Sequence, residues 1–228
     1  MSGCCSDPLR HGHNGSWSPT LRRSFMTLEI IGIAGSNFVR TVRLVAEEKG
    51  VAYEHVLASP HSDEVKAIHP LGLVPVMRHE GLELSESQAI TNYIDRAFEG
   101  PALVPAEPRE AAQVDRWVAY CATSVDQLLM RQYVIEYVFH KDDDGNVVRH
   151  RIDKAIKRFA KIYASLEKGV EGGFLGGDAL SIADCFLVPM LAAAKRFPEG
   201  EEHLAASPAL AAYFERFSER PSFAATAP

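Results

Sequence analysis

The chain has no apolar run approaching the roughly twenty residues that a membrane-spanning helix needs. It also lacks a basic excess. Its 24 Lys and Arg stand against 30 Asp and Glu for a net charge of −6, so no broad cationic surface offers itself to nucleic acid. Cysteine is sparse. Cys4 and Cys5 sit in a polar leader and Cys121 and Cys185 inside helical patterns, which is not a disulfide framework. A reducing cytoplasm is therefore the expected compartment. Residues 1–25 lack both apolar periodicity and the apolar core of a signal peptide, and read as a disordered leader. Within it Cys4, Cys5, His11 and His13 have donor types that suit zinc, but nothing around them preorganises a site, and no metal is expected.

What is present is ordinary globular material, 46% hydrophobic and 24% charged over 228 residues, enough for two modest cores. Leu28-Glu29-Ile30-Ile31-Gly32-Ile33 reads as a strand. Ala34-Gly35-Ser36-Asn37 is a polar turn, and Val39, Val42, Val45 and Ala46 give the next helix its apolar face up to Lys49-Gly50. A second strand follows at 53–57 and a short helix at 63–68. A hairpin comes next, with strands at 76–78 and 82–84 around His79-Glu80-Gly81. Ser85-Glu86-Ser87 then opens a helix striped by Ile90, Tyr93, Ile94, Ala97 and Phe98. The order β-α-β-α-β-β-α over 26–99 predicts an α/β unit with a mixed sheet.

A proline-rich linker at 100–107 marks a change of composition, and 108–228 reads as all helix. One long helix is expected over 109–139, with Val114, Trp117, Val118, Cys121, Val125, Leu128 and Leu129 on one side. Another is expected over 148–168, and further helices from Ser181 and near Pro208. Asp142, Asp144 and Asn146 imitate the start of a calcium loop, but Val147 stands where glycine is needed and Asp153 is too short for the closing bidentate ligand. The Gly172-Gly173 and Gly176-Gly177 pairs lack the Lys-Ser/Thr of a phosphate cradle. Ser181-Ile182-Ala183-Asp184 is a capping box, so Asp184 belongs to folding rather than to catalysis.

Function is carried by His69-Pro70-Leu71-Gly72-Leu73-Val74-Pro75-Val76 and Leu84-Ser85-Glu86-Ser87-Gln88-Ala89-Ile90. A proline entering a cleft-lining strand cannot donate to the ladder, so the residue before it can offer its backbone to a ligand. A serine at a helix start beside a carboxylate can hold both charged groups of an amino acid. Together they read as a receptor for a short peptide. Their order and spacing resemble the cytosolic glutathione transferases, with His69 where that family usually has Asn, and the resemblance runs from about Met26 onward. It implies a thioredoxin-like first unit, an all-helical second, a cis Pro75, glutathione as co-substrate, and a homodimer that serves detoxification.

The resemblance distributes roles over the tripeptide. Ser87 takes the γ-glutamyl carboxylate through its hydroxyl, its amide and the helix dipole, and Glu86 pairs with the ammonium. Val74 and Pro75 receive the cysteinyl backbone as an added strand. His61 aligns with the family's cation for the glycyl carboxylate, with Lys66 in reserve. The free thiol has a pKa of about 8.5, so an activator is needed at neutral pH. Ser36 stands at the first helix start within Ser36-Asn37-Phe38-Val39-Arg40-Thr41-Val42-Arg43-Leu44, which resembles the serine-type classes, phi- and tau-like, in a member of bacterial type. Asn37 is the reserve donor. The second substrate is expected to be electrophilic and apolar, in a pocket between Phe38 and the long helix near Trp117, Tyr120, Cys121 and Ser124. An aromatic stripe at this spacing also reads as core. Conjugation is the first expectation. A peroxidase, isomerase or dehalogenase on the same fold, and a binding module without chemistry, stand as alternatives.

Overall fold

The computed structural model describes residues 27–228, so the expected leader and its Cys4, Cys5, His11 and His13 lie outside the described residues. Four strands form one mixed sheet in the order β2-β1-β3-β4: β1 (Leu28–Ile31), β2 (Tyr53–Val56), β3 (Val76–His79) and β4 (Leu82–Ser85). β1 runs parallel to β2 through the crossover helix α1 (Asn37–Lys49) and antiparallel to β3. The hairpin turns on two residues, Glu80 at φ 49° and Gly81 at φ 83°, rather than the three expected. Paired positive φ values match the right-handed twist of the strands. α2 (Asp63–Ile68) and α3 (Ser87–Ala97) complete this thioredoxin-like half, as the pattern predicts.

α1 is the hinge of the architecture. It begins at Ser36 and ends on Gly50 at φ 72°, where Gly50 and Val51 donate back to Glu47 and Ala46. It packs against α3 on one side and against the helical half on the other. That is why Thr41, Arg40 and Arg43 are buried together with its valines. The connecting stretch 98–107 has no helix or strand but is pinned. Lys49 donates to Pro101 O at 3.0 Å, Leu103 N–H to Asp95 at 2.8 Å, and Ile182 N–H to Leu103 O at 3.1 Å.

The expected long helix is continuous but not uniform. α4 (Pro108–Tyr120) runs into a π-helical stretch (Cys121–Val134) and then α5 (Ile135–Phe139), with helical backbone angles at both junctions. The expected 148–168 helix is two, α6 (Arg149–Ile156) and α7 (Phe159–Gly169). α6 seats on the π stretch while α7 seats on later helices, so one straight rod does not satisfy both. α8 (Ile182–Ala194), α9 (Pro198–Ala205), α10 (Pro208–Ser218) and α11 (Pro221–Ala225) follow. α9 is not among the helices expected from the sequence. Pro198 at its first turn with Glu199 and Glu201 beside it is a legible helix start.

α8 carries the capping box, and Asp184 does more than cap. Its wholly buried carboxylate accepts from Ser181 N–H and Leu175 N–H, both at 2.8 Å, and from Tyr213 OH at 2.9 Å. The loop that imitates a calcium site spends its Asp142 carboxylate on the amides of Asp144 and Asn146. One apolar cluster runs from β1 and α1 through the π stretch to α8 and α10. A small second cluster of Ile31, Ala58, Val65 and Val76 lies on the other side of the sheet.

Candidate active site

Three segments meet at one end of the sheet. Ile31 pairs with Val76 and Val76 with Ser85, so the chain leaving β1, the chain entering β3 and the chain leaving β4 converge. Val74 and Pro75 are joined by a cis peptide. Neither the N–H nor the C=O of Val74 enters a hydrogen bond among the described residues, which leaves a free backbone edge for an extended ligand. Gly32 makes the approach possible. A Cβ there would stand 2.6 Å from Val39 and 3.0 Å from Val74.

His69 organises the loop around this edge. Its N–H closes α2 onto Val65 O at 2.8 Å, its C=O accepts from Gly72 N–H at 2.8 Å, and its Nδ1 accepts from Leu71 N–H at 3.1 Å. That leaves the ring proton on Nε2, 3.3 Å from Glu86. An asparagine amide also offers one acceptor and one donor, which accounts for the exchange of residue type. Glu86 has φ 70°, a conformation few non-glycine residues adopt, and its side chain is 75% exposed toward solvent. Ser87 opens α3 with its hydroxyl unpartnered among the described residues, where the helix dipole favours an anion. His61 is exposed, also at positive φ, and donates its N–H to Gly72 O at 2.8 Å. Lys66 is exposed on α2. His61, His69, Val74, Glu86 and Ser87 thus belong to one contiguous rim, and two of the five hold strained backbone, as functional positions often do.

Ser36 stands where β1 hands over to α1. Its Oγ accepts from Val39 N–H at 3.4 Å, a long helix cap, and its own proton is uncommitted. Asn37 is less free, since its Nδ2 donates to Asp126 Oδ1 at 3.3 Å across to the π stretch. On the helical side of Ser36 lies a cleft of about 350 Å³, lined by Arg40, Met130, Pro189, Ala192, Ala193 and Arg196, with Ala34, Gly35, Asn37 and Pro228 at its edges.

The five residues expected to line the second-substrate pocket do not line this cleft. Phe38 packs into the core with its ring edge-on to Phe186 at 6.1 Å. Trp117 is buried against Gly169 and Gly176, whose missing side chains make room for its indole. Tyr120 meets Trp117 edge-on, and Ser124 faces solvent. Cys121 is fully buried, and burial aided by Asp184 pushes its thiol far above the ordinary range, which leaves it unreactive. Off the apolar stripe, Asp126 reaches Asn37 of α1 and Met130 lines the cleft. Their only sequence signal was an i, i+4 spacing.

Among the described residues no group of three or more His, Cys, Asp or Glu side chains is arranged to hold a metal ion, and no helix is long and apolar enough to cross a membrane. The family model of the glutathione S-transferase N-terminal domain matches residues 30–102, and that of the C-terminal domain matches residues 149–216. Glutathione S-transferase Z2 of Arabidopsis thaliana is 28% identical over 196 residues, 82% of this chain and 85% of its own. Probable maleylacetoacetate isomerase 1 of Drosophila melanogaster is 27% identical over 194 residues, 81% of this chain and 76% of its own. The crystal structure of glutathione transferase F7 from Populus trichocarpa shares the fold, with a TM-score of 0.79 at 23% identity over 88% of this chain and 97% of that one. With the free Val74 edge, the Glu86-Ser87 helix start and the uncapped proton of Ser36 in place, the chain belongs to the cytosolic glutathione transferase family.

Proposed function

We propose that this protein is a serine-type glutathione transferase that joins the glutathione sulfur to an electrophile. The γ-glutamyl group lies at Ser87 and Glu86, the cysteinyl backbone against Val74, and the glycyl carboxylate toward His61. The sulfur then comes to Ser36. The observation that carries the reading is the state of the Ser36 hydroxyl. Its lone pair caps α1, so its proton is available to a sulfur at a helix N-terminus. The thiol proton leaves to solvent, the thiolate attacks the electrophilic atom, the C–S bond forms, and the leaving group departs with its electron pair. Asn37 recedes as a donor because it is tied to Asp126. A homodimer, a cytoplasmic location and a role in detoxification are proposed with it on the family pattern.

A second reading has a specific support, the relative named as a maleylacetoacetate isomerase. The same thiolate would add to a double bond and then be expelled, so that glutathione is not consumed. Measuring glutathione consumption against product separates the two.

Ser36→Ala is the test of both. A donor bonded to sulfur favours the thiolate over the thiol, so the bound thiol pKa, read by thiolate absorbance, should rise in the variant. Turnover near neutrality should fall about ten- to a thousandfold, as for loss of one charge-stabilising donor. Binding at low pH should persist. A wild-type protein whose bound thiol titrates like free glutathione would sink the assignment.

A further inference from the structure

His69 carries two contacts of the site on one ring, and it is 6% exposed. A backbone N–H can only donate, so the 3.1 Å contact from Leu71 makes Nδ1 an acceptor. The ring proton then sits on Nε2 and points at Glu86, 3.3 Å away. Among the described residues the Glu86 carboxylate has no other partner, and it makes no cap bond to α3.

The charges around the ring leave Glu86 as its counterpart. Glu64 on α2 and Glu83 on β4 are both spent on Arg78, at 3.0 and 3.1 Å. Asp63 and Lys66, also on α2, are exposed. From the loop after β2, His61 stands across Gly72, where a Cβ would come 2.7 Å from His61 Nδ1.

An asparagine would hold the same two contacts at any pH. A histidine holds them only while it is neutral. A second proton, on Nδ1, would point at the Leu71 N–H and break that bond. It would loosen the turn in which Gly72 donates to His69 O and accepts from His61 N–H, two residues before Val74. It would also give Glu86 a full cationic partner in place of an incoming ammonium. Both changes weaken the hold on one ligand.

We propose that His69 is a positioning residue for glutathione. Its neutral form sets Glu86 and the Val74 edge, so protonation of this one ring loosens the tripeptide. The inference rests on the reading of Glu86 as the ammonium partner. It gives glutathione affinity a dependence on pH that the usual asparagine lacks.

The test uses S-methylglutathione, which keeps the charged groups of glutathione but has no thiol to titrate. Its Kd is measured by calorimetry between about pH 5.5 and 8 for the wild-type protein, His69→Asn and His69→Ala. His61 is present in all three, so its own protonation, which favours the glycyl carboxylate, cancels in ratios of Kd. At the alkaline end His69→Ala should bind about tenfold more weakly than wild type, as for loss of a charge-assisted hydrogen bond. His69→Asn should restore most of that loss, because it keeps one donor and one acceptor. Toward the acid end the wild-type Kd should rise about tenfold relative to that of His69→Asn. In the wild-type protein itself the His69 ring, followed by NMR, should stay neutral to lower pH once the probe is bound. That measurement needs no variant to fold. A Kd ratio flat with pH while binding persists, or a ring that titrates alike with and without the probe, overturns the proposal. Wild-type protein that fails to bind the probe even at the alkaline end would defeat the glutathione reading beneath it, and the proposal with it.

Discussion

Asp184 shows how one side chain can hold a fold and tax it at once. Burial raises its pKa to about 6 from 3.8, although the amides of Leu175 and Ser181 and the Tyr213 hydroxyl all favour its anion. Between those two values the folded protein keeps a proton that the unfolded chain has released. Stability from this group is therefore fully present below about 4 and lost as pH rises through about 6, a swing of about 3 kcal/mol. Asp184→Asn removes the titration but leaves donors facing an amide. Its penalty, measured by urea denaturation, should be larger at pH 4 than at pH 7. A penalty constant with pH would refute the buried-acid account. The Ser181-x-x-Asp184 spacing announced the cap in the sequence. Leu175 and Tyr213 did not, since they reach the carboxylate from nine residues before it and 29 after.

At the scale of the element, the π stretch brings Asp126 to Asn37 at the start of α1. Apolar spacing predicted the helix and its buried stripe of Val118, Cys121, Val125, Leu128 and Leu129, and these are buried. It did not predict the widening, because bonding from each N–H to the carbonyl five residues back leaves no residue-type signature. Met130 and the 6% exposed Asp126 therefore carry no apolar-stripe signal, and Trp117 and Cys121, expected at a pocket, do not line the cleft beside Ser36. The hairpin and the Glu86-Ser87 helix start were legible because turn and cap chemistry is local.

Asp126 joins the Asn37 amide at 3.3 Å and the Arg131 guanidinium at 2.9 Å, and so holds the residue next to Ser36. Asp126→Ala should lower kcat about tenfold with a smaller change in the glutathione KM, and should move the pH–rate profile toward alkaline pH. A lower melting temperature with an unmoved profile would leave Asp126 a purely structural residue.

Across the whole molecule the two halves share their main apolar core, from Leu28 and Val39 through Leu129 to Phe186 and Phe217. Arg220 adds a two-pronged contact to Glu48, with nitrogen–oxygen distances of 2.7 and 2.6 Å. Such coupling favours a single cooperative unit over two independent ones. Hydrogen exchange should find the slowest amides of α1 and α8 opening with the same free energy and the same denaturant dependence. An α1 that opens well before α8 would mean that the halves unfold separately. The composition break at 100–107 was visible in the sequence. The shared core was not, because it depends on contacts between residues far apart along the chain.

The clamp on α1 also orders events in time. Arg40 and Arg43 find their carbonyl acceptors at Phe223 and Thr226, each 183 residues downstream. A ribosome adds about 5–20 residues per second, so the helix waits about 10–40 s for those partners to be made. During that interval its two guanidiniums stay in water and the face that will meet α8 and α11 stays open. The nascent thioredoxin-like half is exposed to wrong partners for as long as the rest takes to emerge. The helix that begins at Ser36 is among the first parts of the protein to be synthesised and among the last to be finished.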